Sequence, residues 1–232
     1  MAAYKIKEHN RRMLKGQSST LVKAMSESLV INHGLHSLFE KGIKRHSTII
    51  FIDIYNFSNT ISSLKPERIK DFLMPYYDTC FKIISEYGGV VEKVMGDGII
   101  AIFSDLFNEM NDHYNANNAI NCLLDIINKY FISPEYNSKG AVHFSEPFFC
   151  KIGNEMGYKE FTVIGNGLTY CYRLESAIAH SDRIALVDTQ RSFFENSRLG
   201  EYYSEMNNIQ LSGIGKTSVR FYHIESEIEI TE

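Results

Sequence analysis

Apolar residues change their spacing several times along the chain, and each change marks an element. Residues 48–54 form an almost unbroken apolar run, as in a strand buried on both faces. Beyond a turn at Ser62 and Ser63, Ile69, Phe72, Leu73, Tyr76, Cys80, Ile83, Ile84 and Tyr87 recur at three- and four-residue steps. That spacing predicts one apolar face of a long helix, entered at Pro66 and kinked at Pro75. Gly88 and Gly89 end the helix and open a hairpin over VVEKVMGDGIIAIF, turning at Gly96-Asp97-Gly98. A second helix is expected from about residue 115 to 130, with Ala119, Ile120, Leu123, Leu124 and Ile127 inward. Short strands at 140–144, 148–152 and 161–164 lead to a helix capped by Asn166 that turns Leu168, Cys171, Leu174 and Ala177 to the core. Further strands follow at 183–187 and 219–224. The order strand, helix, strand, strand, helix, strand predicts an α+β domain of ferredoxin-like βαββαβ type, with helices on one face of the sheet and additional C-terminal strands.

The same patterning sets residues 1–46 apart as an N-terminal helical extension. It is basic at Lys5, Lys7, Arg11, Arg12 and Lys15, and carries helical stripes at Leu21, Met25, Leu29 and Val30, then at Leu35, Leu38 and Phe39. These short helices are expected to pack across a dimer. Residues 47–225 form the main domain and 226–232 a tail, a division that suits a chain of 232 residues. The formal charge of −4 gives no global reason to bind nucleic acid. No apolar run reaches the length of a membrane span, and the first residues lack the apolar core of a signal peptide, so a stand-alone protein of the cytoplasm is expected. Cys80, Cys122, Cys150 and Cys171 lie far apart in apolar surroundings and read as reduced core residues. His143, alone in a strand, is given no chemistry.

Two carboxylates change the picture. Asp53 interrupts the first apolar run and Asp97 sits at the tip of the hairpin. Burying an unpaired carboxylate in a strand costs several kcal/mol. Singly, Asp97 is the turn residue that such hairpins favour. Together, two hard oxygen donors at a strand end and a hairpin tip suit Mg²⁺ or Mn²⁺ carrying a phosphate substrate.

FIDIYNFS, a helix ending in EYGG, and VVEKVMGDGIIAIF together resemble the catalytic core of the class III nucleotidyl cyclases, the adenylate and guanylate cyclases. The interval between the two aspartates (97 − 53 = 44) is that of the family's metal ligands. The turn is not the GGDEF type of the diguanylate cyclases. The resemblance covers roughly residues 47–225. It implies two Mn²⁺ or Mg²⁺ ions per site held by Asp53, Ile54 and Asp97, and conversion of a nucleoside triphosphate to a 3′,5′-cyclic nucleotide and pyrophosphate. FTVIGNGLTYCYRLES is similar to the family segment carrying an asparagine and then an arginine. That places the charge-stabilising arginine at Arg173 and puts Thr169 where the asparagine stands. The base-reading pair of adenylate cyclases matches Lys93 and Thr162, and Lys216 in LSGIGKTS matches a phosphate-contacting lysine. In the family the two halves of a site come from different subunits, so a head-to-tail homodimer with two shared sites is implied. A non-catalytic nucleotide-binding relative, favoured by Thr169, is the competing reading.

For the base, Tyr170 and Tyr172 stand in a helix turn where the family has small residues, and Tyr55 follows Asp53 by two, back on the same strand face. A phenol in the base pocket takes volume that a purine needs. The expectation is therefore a pyrimidine nucleotide, UTP or CTP, with ATP, read by Lys93 and Thr162, as the alternative. On this point the chain resembles the pyrimidine cyclases of bacterial antiphage (Pycsar) systems. That implies cUMP or cCMP as a messenger in antiphage defence, sensed by a separately encoded effector.

Overall fold

The computed structural model describes residues 34–131, 133–153 and 159–224. Its centre is β2 (Ser47–Ile54), which lies between β4 (Gly98–Phe103) and β5 (Ser138–Ser145). β3 (Val90–Met95) pairs with β4, and the frame is closed by α3 (Pro66–Glu86) between β2 and β3 and α4 (Asp112–Tyr130) between β4 and β5. This is the expected βαββαβ order. Past β5 the same sheet continues through β8 (Arg183–Val187), β10 (Gly215–His223) and β9 (Ser204–Leu211), so additional C-terminal strands are present as expected. Among the described strands only the β5–β8 contact is parallel.

Side-chain alternation in β2 divides the core. Ile50, Ile52 and Ile54 face α3 and α4, where Leu73, Tyr76, Cys80, Ile84, Ala119, Ile120 and Leu123 are buried against them. Ile49 and Phe51 face the other way, toward a small sheet of β1 (Ile43–Lys44), β6 (Phe148–Gly153) and β7 (Lys159–Ile164), and toward α5 (Asn166–Ser176). The expectation of helices on one face is therefore corrected: α3 and α4 share a face, and α5 covers the other. Its apolar side needed a partner, and the sheet's second face is as apolar as the first. Gly167 lets α5 approach, since a Cβ there would collide with Ser145 and Ile49.

Several boundaries move for local reasons. α4 begins three residues earlier than the periodicity suggests, because the Asn111 side chain accepts from the Tyr114 N–H at 2.9 Å and caps it. α5 is not capped by Asn166, which is its first residue; the cap position is Gly165. Pro75 lies on the exposed side of α3, which continues through it as one helix of 21 residues. A 3₁₀ turn, Pro134–Tyr136, links α4 to β5, and two more, Asp188–Phe194 and Arg198–Glu201, link β8 to β9. α2 (Phe57–Ile61) is a short turn after β2.

The stripe at residues 21–30 lies outside the described residues. The second stripe becomes α1 (His36–Lys41), whose Phe39 packs edge-on against Phe149 and Phe161 at 5.7 and 5.6 Å. With β1 paired to β6, residues 36–44 are built into the domain and not set apart from it. All four cysteines are free and buried. Among the described residues no helix is long and apolar enough to cross a membrane.

Candidate active site

β2 delivers Asp53 to its end, on the face shared with α5, and directly opposite Lys139 of β5. The β3–β4 hairpin delivers Asp97 to the same place through a two-residue loop, in which Gly96 takes a φ of 61° that a side chain would resist. The hairpin tip is fixed twice. The Ile54 N–H donates to Asp97 Oδ2 at 3.3 Å, and the Tyr77 hydroxyl of α3 donates to the Gly96 carbonyl. The two carboxyls lie close enough to shift one another's protonation. Burial, then the neighbouring Asp97 and its charge, push Asp53 up to about 7, with Lys139 pulling the other way. Burial likewise raises Asp97. Two carboxyls forced to share a proton form a place that a divalent cation can take over.

The donors fit Mg²⁺ or Mn²⁺. Asp53 and Asp97 are hard oxygen ligands, and Ile54, whose side chain is buried toward α3 and α4, has its main-chain carbonyl to offer. Among the described residues no group of three or more His, Cys, Asp or Glu forms a metal cage.

Two residues beside this pair escaped the sequence reading. Lys139 Nζ donates to Glu175 Oε1 of α5 at 2.7 Å and to the Ile178 carbonyl at 3.4 Å. Glu175 is in turn within hydrogen-bonding reach of Asp53. Its signal in the sequence is an acid on the apolar stripe of α5, where Cys171 and Leu174 are buried.

Thr169, Arg173 and Lys216 are presented to solvent. Thr169 and Arg173, four residues apart on α5, share its exposed side. Lys216 is exposed at the start of β10. None of the three bonds to Asp53 or Asp97.

The base-reading residues are also rearranged. A β-bulge between Val91 and Lys93 makes Glu92 an extra residue in β3. Glu92 holds one member of the expected base-reading pair: Thr162 Oγ1 donates to Glu92 Oε1 at 3.0 Å, and the Val163 N–H to the same oxygen at 3.3 Å. Burial raises the Glu92 carboxyl while these two donors lower it. Tyr170 stacks on His143 at 4.3 Å, and Tyr172 sits edge-on to Phe51 at 4.9 Å with its hydroxyl 3.2 Å from Met95 Sδ. Both phenols, expected to crowd a pocket, pack α5 against the strands beneath it. Tyr55 makes neither contact and stays half-buried two residues past Asp53, its N–H bonded to the Asn137 carbonyl at 2.7 Å.

Solved structures carry this arrangement of elements. The adenylyl cyclase CyaB of P. aeruginosa superposes with a TM-score of 0.69 at 18% identity, over 80% of this chain and 97% of that one. The fold is that of a nucleotidyl cyclase catalytic domain. The guanylate cyclase domain of RhGC from Catenaria anguillulae, solved with GTP, gives a TM-score of 0.66 at 18% identity over 78% and 98% of the two chains. At the level of sequence, an adenylate cyclase of Anabaena cylindrica is 38% identical over 61 residues, which cover 26% of this chain and 12% of that protein. The terminal-differentiation adenylate cyclase of Dictyostelium discoideum is 30% identical over 91 residues, 39% of this chain and 4% of that one. The cyclase fold here thus matches only a small part of these curated relatives. No protein-family profile matches the chain.

Proposed function

We propose that this chain is a nucleotidyl cyclase that converts a nucleoside triphosphate to the 3′,5′-cyclic nucleotide and pyrophosphate. The observation that carries the reading is the half-buried Asp53–Asp97 pair, two carboxyls held in contact at a strand end and a hairpin tip. Asp53, Asp97 and the Ile54 carbonyl would hold two Mn²⁺ or Mg²⁺ ions. When bound, such ions supply Lewis acidity to the reacting hydroxyl and phosphates. Arg173 keeps its charge and offers several donors to the charge that develops on the phosphate, Thr169 offers a hydroxyl to the ribose, and Lys216 an ammonium to the phosphates. Since these stand on the outer side of α5 and on β10, the site is completed by a second subunit in a head-to-tail homodimer.

On the base, the reading is a pyrimidine, UTP or CTP. What supports it is Tyr55, a half-exposed phenol two residues past Asp53. On this reading the product is a messenger in antiphage defence in the cytoplasm, acting on a separate effector. An adenylate cyclase is the second reading, favoured by the place of Thr162 against β3 beside Lys93 and by the adenylate cyclases among its relatives.

The test is product analysis with Mn²⁺ and each of the four triphosphates. One cyclic nucleotide and equimolar pyrophosphate are expected. Absence of product from all four would leave a non-catalytic nucleotide-binding domain, the role that Thr169 in place of asparagine favours. Preference for ATP over both pyrimidine nucleotides in direct competition would replace the pyrimidine reading with the adenylate one.

A further inference from the structure

α5 lies along one face of β2 and meets it three times. Cys171 Sγ is 3.2 Å from the Ile49 carbonyl, Tyr172 packs on Phe51, and Glu175 reaches Asp53. These are successive residues of the face that ends at the metal pair. The last contact includes Lys139, whose ammonium stands opposite Asp53 in the β2–β5 register and yet is bonded to Glu175 at 2.7 Å. The two side chains of that ion pair are 13% and 8% exposed. Such a pair is costly to strand: an ammonium that loses its carboxylate in a nearly dry setting turns to the next anion within reach. The next anion is Asp53.

We propose that Glu175 is a positioning residue for the metal site, holding the Lys139 ammonium off Asp53 and so leaving that carboxylate free for a divalent cation. The inference rests on the reading of Asp53 as a metal ligand. Glu175 itself contributes no bond to the cation. It acts through Lys139, which has three donors, two of them accounted for by Glu175 and the Ile178 carbonyl. Remove the Glu175 charge and Lys139 becomes a rival of the metal for the same oxygens. Remove Lys139 as well and the rival is gone.

This order of effects separates positioning from mere structural support. Mn²⁺ binding to the full chain, without nucleotide, is measured by the loss of the free-ion paramagnetic resonance signal. Glu175→Gln is expected to weaken binding by about tenfold or more, the usual cost of losing an outer partner of a metal ligand. The double variant Lys139→Met with Glu175→Gln is expected to recover wild-type affinity, and Lys139→Met alone to bind Mn²⁺ more tightly than wild type. Each variant is checked for fold by circular dichroism. If Glu175→Gln does not fold, Lys139→Met carries the test, and equal or weaker binding by that folded variant overturns the proposal. Wild-type affinity in folded Glu175→Gln, or no recovery in the double variant, overturns it as well. Asp53→Ala distinguishes the two levels of failure. If it binds Mn²⁺ as well as wild type, the metal assignment itself is wrong. If it loses binding while Glu175→Gln does not, only the positioning role falls.

Discussion

Asp53 and Asp97 are held by everything around them: a strand register, a two-residue turn, a main-chain donor and a tyrosine from α3. Thr169 and Arg173 sit on the outer side of α5 with nothing of the kind, although that helix is pinned along its inner side by Gly167, Cys171, Tyr172 and Glu175. One half of the candidate site is thus pre-assembled within the chain. The other is a rigid support presenting unsatisfied groups outward. A carboxyl pair must be organised in advance, because desolvating it is expensive, whereas a guanidinium is stable in water until a phosphate arrives.

The largest effect is expected where organisation is greatest. On the reading that they hold the metal ions, Asp53→Ala and Asp97→Ala should each lower turnover by about a thousandfold or more. Circular dichroism should be unchanged; residual activity near wild type with Mn²⁺ present would break the comparison at its first half. Arg173→Ala should cost about 10²–10³ in kcat, as for other donors to developing charge, while its melting temperature stays put because the side chain is exposed. Mixing Arg173→Ala with Asp53→Ala protein should restore about a quarter of wild-type activity, because half of the dimers then carry one intact site of two. No recovery despite proven subunit exchange would place both halves in one chain.

Smaller effects sharpen the picture. Glu92→Ala strands the Thr162 hydroxyl and the Val163 N–H, at about 1–3 kcal/mol for an unsatisfied buried group. Calorimetry should then record a melting temperature lower by several degrees. A slope with pH is expected as well. Asp53 titrates near 7 when folded and near the ordinary 3.8 when unfolded, so between those values the folded chain holds the extra proton. Its metal-free stability should therefore fall as pH rises from about 4 to about 7. Asp97 and Glu175 are shifted in the same direction, while buried His143, lowered to about 4, contributes the opposite slope below 6.5. Subtracting the profile of Asp53→Asn isolates the carboxyl pair, and saturating Mn²⁺ should flatten the wild-type slope if the pair is a metal site.

What was legible in the sequence had a local period. β2, α3, the hairpin and α4 each carry their own apolar spacing, and Asp53 and Asp97 stand out because they break it. β9 was missed because SEMNNIQL is a mostly exposed edge strand, with only Ile209 and Leu211 at its end turned to the core. Placing β6 and β7 in a second sheet, and α5 over the opposite face, depends on partners distant in sequence. The Glu92 bulge is a matter of register between strands, which no single strand records. Lys139 and Glu175 each look ordinary alone; only the fold brings them within 2.7 Å.

The four buried thiols give the chain its own set of internal clocks. Burial pushes all of them up, so in the folded state none is a ready nucleophile. Each can be alkylated only when its surroundings open. Cys80 and Cys122 report on the layer of α3 and α4, Cys150 on the small sheet, and Cys171 on the seam between α5 and β2. Labelling rates followed by mass spectrometry, one cysteine at a time, would rank the opening free energies of these layers without altering a residue.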